Sequence, residues 1–105
     1  FVKQMLPQSN VYVYEDEKSN QIKGFIGLQD EFIAGVFVQR DVRAQGIGKQ
    51  LLNYAKSFNH SLRLSVYQKN ELAYKFYKRN EFEVIREQLD DVTNEKEFLM
   101  QWQKK

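Results

Sequence analysis

Arg43, Gly46 and Gly48 form an Arg-x-x-Gly-x-Gly turn that leads from an apolar stretch into a helical pattern, a place where an anion can be held. A helix start leaves N–H groups without intrahelical partners and carries about half a positive charge. Both suit a pyrophosphate. Glycine lets an anion approach the backbone and permits positive φ, while Arg43 and Lys49 add charge. Taken alone, the turn could equally be a glycine-containing loop that reverses the chain. It is not a Walker A loop, because Lys49 is followed by Gln50 rather than Ser or Thr. Nor is it a dinucleotide fingerprint, which carries a third spaced glycine and follows the first strand of a βαβ unit. A second group lies downstream. Asn70 is a good helix N-cap, and Tyr77 follows on one apolar face with Ala73 and Phe76, which by residue type alone reads as core. Tyr74 and Phe76 read as packing residues. Asp30 and Glu31 read as solvated turn acids, and the single His60 falls at the start of a strand, far from both groups.

Composition limits what this chemistry can be. The 105 residues allow one domain, 1–105, with one core, and 42% hydrophobic with 29% charged residues exclude a disordered chain. The net charge of +2, with acids and bases interspersed, advertises no nucleic-acid surface, and no nucleic acid is expected. The absence of cysteine excludes disulfides, thiolate metal sites and a cysteine nucleophile, and fits a reducing, cytoplasmic setting. One histidine makes a His-based metal cluster implausible, so no metal is expected. No apolar run approaches the roughly 20 residues of a membrane span. Eight Phe and six Tyr predict a core built on rings.

The elements that would position these groups follow from periodicity. Phe1 to Ser9 reads as a helix end running into a loop broken by Pro7. Val11–Tyr14, Ile22–Leu28 and Phe32–Val38 read as strands joined by the polar turns 16–20 and 29–31, an antiparallel meander. The near-continuous apolar run of the third strand predicts burial on both faces. From Gly46 to Phe58 the spacing of Ile47, Leu51, Ala55 and Phe58 is helical. Ser61–Tyr67 alternates as a strand, Asn70–Arg79 is helical, Phe82–Glu87 and Glu95–Trp102 are strands, and Asp90–Asn94 is a loop. The order β-β-β-α-β-α-β-β places the chain in the α/β (α+β) class, with a mixed, mostly antiparallel sheet flanked by helices.

Val38 through Leu52 resembles motif A of the GNAT superfamily of N-acetyltransferases. Leu64 through Asn70 with Tyr77 resembles that family's second signature, in which an Asn opens a helix and a Tyr follows seven positions later. The two occur in the right order, and the likeness extends over the chain from Val11. It is nearest to small bacterial N-acetyltransferases, some of which act on protein lysines. The resemblance implies acetyl-CoA as cosubstrate, with the backbone of Val36, Phe37 and Val38 on pantetheine. It places Arg43, Ala44, Gln45, Gly46, Ile47, Gly48 and Lys49 around the pyrophosphate, Asn70 against the cofactor, and Tyr77 at the thioester sulfur. Tyr77 would be the general acid: with a reference pKa of about 10 the phenol is protonated at neutral pH and has a proton to give the leaving thiolate. A backbone amide of the 36–38 region would polarise the carbonyl.

The chain also departs from the family. Many relatives carry Glu, the amine's proton acceptor, where this chain has Ser65; Glu31, Asp30 or bulk water are the substitutes the residues offer. Glu81 stands where relatives have Gly; a left-handed Glu would cost about 1–2 kcal/mol, so Asn80 is expected to take that conformation. The family normally begins with a strand and two helices that are missing ahead of Val11, so the domain is expected to lack its N-terminal part. A sheet shortened in this way could recover its edge strand by forming a homodimer. Two alternatives to an active transferase stand beside it: a non-catalytic coenzyme A-binding or interaction module of the same fold, and a nucleic-acid-associated protein, against which the near-neutral charge argues.

Overall fold

The computed structural model describes residues 1–40 and 46–105, in two units, Phe1–Asn59 and His60–Lys105. In the first, β1 (Val2–Gln4), β2 (Val11–Glu15), β3 (Ile22–Gln29) and β4 (Phe32–Val38) form an antiparallel meander, followed by α1 (Ile47–Lys56). The first nine residues are therefore not a helix end. Val2, Lys3 and Gln4 pair with Tyr14, Val13 and Tyr12, and the Met5 N–H donates to the Val11 carbonyl at 2.9 Å. The turn between them is held by Ser9, whose Oγ accepts from the Val11 N–H at 3.0 Å. A neighbouring strand supplies these bonds, and no periodicity within nine residues announces them. The element order becomes β-β-β-β-α-β-α-β-β.

The turns use local polar chemistry. The Asp16 carboxylate accepts from the Ser19 hydroxyl at 2.7 Å, a bond that lowers its pKa, and Asn20 and Asp30 adopt φ 58 and 57. Contrary to the sequence expectation, β4 is not buried on both faces. Phe37 is 50% exposed and stacks on Phe25, its partner across β3, with ring centroids 5.6 Å apart. The reason is that α1 lies on the other face. Its buried stripe of Ile47, Leu51, Leu52 and Ala55 packs where Gly24 and Ile26 are buried, and Tyr12 meets Tyr54 and Phe58 at 5.2 and 5.4 Å. A Cβ on Gly24 would stand 2.8 Å from the Phe37 carbonyl oxygen and 3.3 Å from both Ile47 and Leu51. The absence of a side chain there lets α1 approach β3 closely.

In the second unit, β5 (Ser61–Tyr67) and β6 (Glu83–Leu89) both pair antiparallel with β7 (Lys96–Gln103), and α2 (Glu71–Arg79) connects β5 to β6. Alternation on β5 buries Leu62, Leu64 and Val66 and exposes Arg63 and Ser65. Tyr74 of α2 packs on Phe98, which lies across from Val66, so α2 covers the face of Leu64 and Val66. Both units together give the α/β class with mostly antiparallel strands that the element order implied.

Candidate functional site

The residues singled out in the sequence fall into one group per unit. In the first unit, β3 takes one edge of β4 through the pairs Ile26–Val36, Phe25–Phe37 and Gly24–Val38. Val36 and Val38 are half-buried and Phe37 is exposed. Gly46 is the N-cap of α1, with φ 76 and ψ 15 and no side-chain cap. That left-handed conformation is open to glycine and costs other residues about 1–2 kcal/mol. The first turn holds no acidic residue, and the amides of Ile47, Gly48 and Lys49 form the positive end of the helix. Gly48 is buried and Lys49 exposed. A helix start of this kind can accept an anion. Arg43, Ala44 and Gln45 lie outside the described residues. Asp30 and Glu31 sit in the turn that opens β4, at the other end of the strand from Val36–Val38, about 20 Å away for an extended run of six residues.

In the second unit, Asn70 caps α2. Its Oδ1 accepts from the Ala73 N–H at 3.1 Å, which leaves the Nδ2 donors as what it can offer a ligand. Tyr77 lies seven residues on, two turns along the same face. Tyr77 is half-buried, and that burial pushes its pKa up from the ordinary phenol value, so it is protonated at neutral pH, as it would be unperturbed. The end of α2 fixes the ring. The Phe82 N–H donates to the Tyr77 carbonyl at 3.0 Å and the Glu81 N–H to Lys78 at 3.2 Å. These are the two bonds of a Schellman motif. The hydrophobic contact of that motif is the Tyr77–Phe82 pair, with ring centroids 5.8 Å apart. The left-handed residue is Glu81, at φ 72, and not Asn80, which was expected to take it. Asn80 has φ −99 and is committed elsewhere: it is buried, and its Nδ2 donates to the Phe76 carbonyl at 2.8 Å.

His60 is exposed at the start of β5, where its carbonyl accepts from Lys104 at 2.8 Å, at the opposite end of that strand from Tyr67 and Asn70. Ser65 is exposed on the β5 face away from α2. Beside it is a polar cluster that the sequence reading did not single out. Gln88 Nε2 donates to Glu97 Oε1 at 2.7 Å and to Ser65 Oγ at 3.4 Å. Among the described residues no group of His, Cys, Asp or Glu is placed to hold a metal ion.

The acetyltransferase (GNAT) domain model matches residues 7–84. The chain belongs to the GNAT family. Its curated relatives include the peptidyl-lysine N-acetyltransferase YiaC of Escherichia coli K12, 32% identical over 82% of this chain and 60% of the relative. The peptidyl-lysine N-acetyltransferase YjaB of the same organism is 33% identical over 87% of this chain and 62% of the relative. The chain thus spans about three fifths of the length of these relatives. The solution structure of apo YjaB from Escherichia coli superposes with a TM-score of 0.80 at 28% identity, covering 91% of this chain and 66% of that one. A putative streptothricin acetyltransferase from Bacillus anthracis, solved with acetyl coenzyme A, has the same fold at a TM-score of 0.77 and 24% identity, covering 90% and 62%. This GNAT chain has no described helix long and apolar enough to cross a membrane.

Proposed function

We propose that this chain is the coenzyme A-binding and acid-bearing part of an N-acetyltransferase that moves the acetyl group of acetyl-CoA to a primary amine, a protein lysine by preference, by direct attack. The observation that carries the proposal is Tyr77: a half-buried phenol, held by the Schellman turn that closes α2, at the position of the family's acid. Two curated relatives named as peptidyl-lysine N-acetyltransferases support the choice of acceptor. A bacterial, cytoplasmic setting is part of the same reading.

The roles follow from residue chemistry. The amides at the start of α1, with Arg43, Ala44 and Gln45 of the same turn, hold the pyrophosphate. Backbone groups of Val36, Phe37 and Val38 hold the pantetheine arm, and Asn70 offers Nδ2 to the cosubstrate. Acetyl-CoA supplies the activated acyl group. Tyr77 donates its phenolic proton to the departing thiolate, and holding the two reactants together supplies much of the rest of the rate.

Ser65, where relatives often place the basic Glu, favours the alternative of a coenzyme A-binding module without catalysis. Calorimetry with acetyl-CoA, followed by free-thiol release with lysine peptides, tests both. Binding with release is the expected result; binding without release leaves only the module, and no binding at millimolar ligand removes both. Tyr77→Phe is expected to lower kcat by about 10²-fold or more with acetyl-CoA affinity unchanged. An unaltered kcat would remove Tyr77 as the acid.

A further inference from the structure

Glu97 is a buried acid, 9% exposed, in the central strand of the second unit. Among the described residues no Lys or Arg pairs with it. The donor that reaches its carboxylate is the neutral amide of Gln88, at 2.7 Å. Burying a carboxylate beside a single neutral donor is costly.

The surroundings of Glu97 point to a task. It lies directly across from Tyr67 on one side and Gln88 on the other. Arg86 Nε donates to Gln88 Oε1 at 3.2 Å, which turns the Gln88 amide nitrogen toward Glu97 Oε1 and Ser65 Oγ. Ser65 pairs with Leu99, so it is the diagonal neighbour of Glu97, roughly 7–8 Å away on the same face. Their oxygens share the Gln88 Nε2 donor, at 3.4 and 2.7 Å, and so lie close enough for one water to bridge them. Ser65 is exposed and opens the cluster to solvent.

The face matters as much as the distance. By strand alternation, Ser65 and Glu97 project from the side opposite Val66 and Phe98, and α2, which bears Tyr77, packs on the Phe98 side. In acyl transfer the amine adds to the carbonyl carbon and the thiolate then leaves the tetrahedral adduct, so one group must take the proton of the incoming nitrogen and another must give one to the outgoing sulfur. A base and an acid on opposite faces divide those two tasks.

We propose that Glu97 accepts the proton of the acceptor amine, directly or through a water at Ser65, with Gln88 and Arg86 as positioning residues. The base that relatives often carry on the strand matching β5 has moved to β7 in this chain. The proposal rests on the acetyltransferase reading above. The amine nitrogen forms the C–N bond to the acyl carbon and the C–S bond breaks. The amine proton goes to Glu97 and the thiolate takes the proton of Tyr77. Solvent then returns a proton to Tyr77 and receives one from Glu97, leaving the acetamide and free coenzyme A.

The test is Glu97→Gln, which keeps the shape of the side chain and removes the base. With a lysine peptide, kcat/KM is expected to fall about 10²-fold or more, with acetyl-CoA affinity by calorimetry unchanged. An aminooxy peptide is already neutral at pH 7 and needs no strong base. With that acceptor the loss is expected to shrink at least tenfold. Gln88→Leu is expected to reproduce the pattern more weakly. Wild-type kcat/KM in the Glu97→Gln variant, or an equal loss with both acceptors, overturns the role of Glu97 and leaves the acetyltransferase reading standing. A wild-type protein that binds acetyl-CoA and releases no thiol with any amine overturns that reading, and the role of Glu97 with it.

Discussion

Replacing Glu81 by Gly should stabilise this protein, although it removes every side-chain atom at that position. Glu81 is the left-handed residue that closes α2, at φ 72. Its Cβ in that conformation costs about 1–2 kcal/mol. Glycine removes that cost but gives the unfolded chain more freedom, worth about 0.4–1 kcal/mol in the opposite direction. The net gain is about 0.5–1 kcal/mol. The side chain itself contributes little to offset this, since Glu81 is exposed and forms no ion pair among the described residues. For a domain of this size the gain corresponds to a Tm rise of about 2–8 °C. Thermal unfolding followed by circular dichroism at fixed protein concentration measures it. Glu81→Ala is the control, because it keeps the Cβ and should gain nothing. A Glu81→Gly variant that melts no higher than Glu81→Ala would refute the strain argument, and with it the claim that the Schellman turn under Tyr77 is held against a backbone penalty.

Two further substitutions probe the elements that carry the site. Gly24→Ala places a Cβ 2.8 Å from the Phe37 carbonyl oxygen and 3.3 Å from Ile47 and Leu51; it should cost about 1–3 kcal/mol, seen as a lower Tm, and a wild-type Tm would contradict the close approach of α1 to β3. Asn70→Ala removes the cap on α2 and should cost about 1 kcal/mol, whereas Asn70→Asp keeps the cap oxygen and loses the Nδ2 donor. The Asp variant should therefore melt like wild type and bind acetyl-CoA more weakly in calorimetry; equal affinity would confine Asn70 to capping.

What is legible in the sequence is local, and what it hides depends on neighbours distant along the chain. Gly46 and Asn70 can be placed because each answers a demand of its own helix end, a left-handed N-cap in one case and a side-chain oxygen for an orphan N–H in the other. The helices and most strands follow from their period. β1 does not, because three residues have no period and Val2 to Gln4 become a strand only through Tyr12 to Tyr14. The apolar run of β4 suggests double burial wrongly, because no pattern within the strand tells that α1 covers one face and leaves Phe37 stacked on Phe25 in solvent. Glu81 shows the limit from the other side. The missing glycine is visible in the residues, but the left-handed conformation falls on Glu81 rather than Asn80, whose buried bond to Phe76 has no sequence signature.

Glu97 is the sharpest case of this dependence. Its sequence neighbourhood, Lys96-Glu97-Phe98-Leu99-Met100, reads as one more strand with a polar start. Only the pairing of β7 with both β5 and β6 puts that acid between Tyr67 and Gln88 and diagonal to Ser65. A usable signal is nonetheless present. Phe98, Leu99 and Met100 are consecutive apolar residues in a strand, the pattern of burial on both faces, and here, unlike in β4, Leu99 and Met100 on opposite faces are both buried. An acid one residue before such a run has no assured outward position. A chain that lacks the acid at Ser65 and carries one at the edge of a doubly covered strand has, in its residue pattern alone, a reason to look for its base on β7.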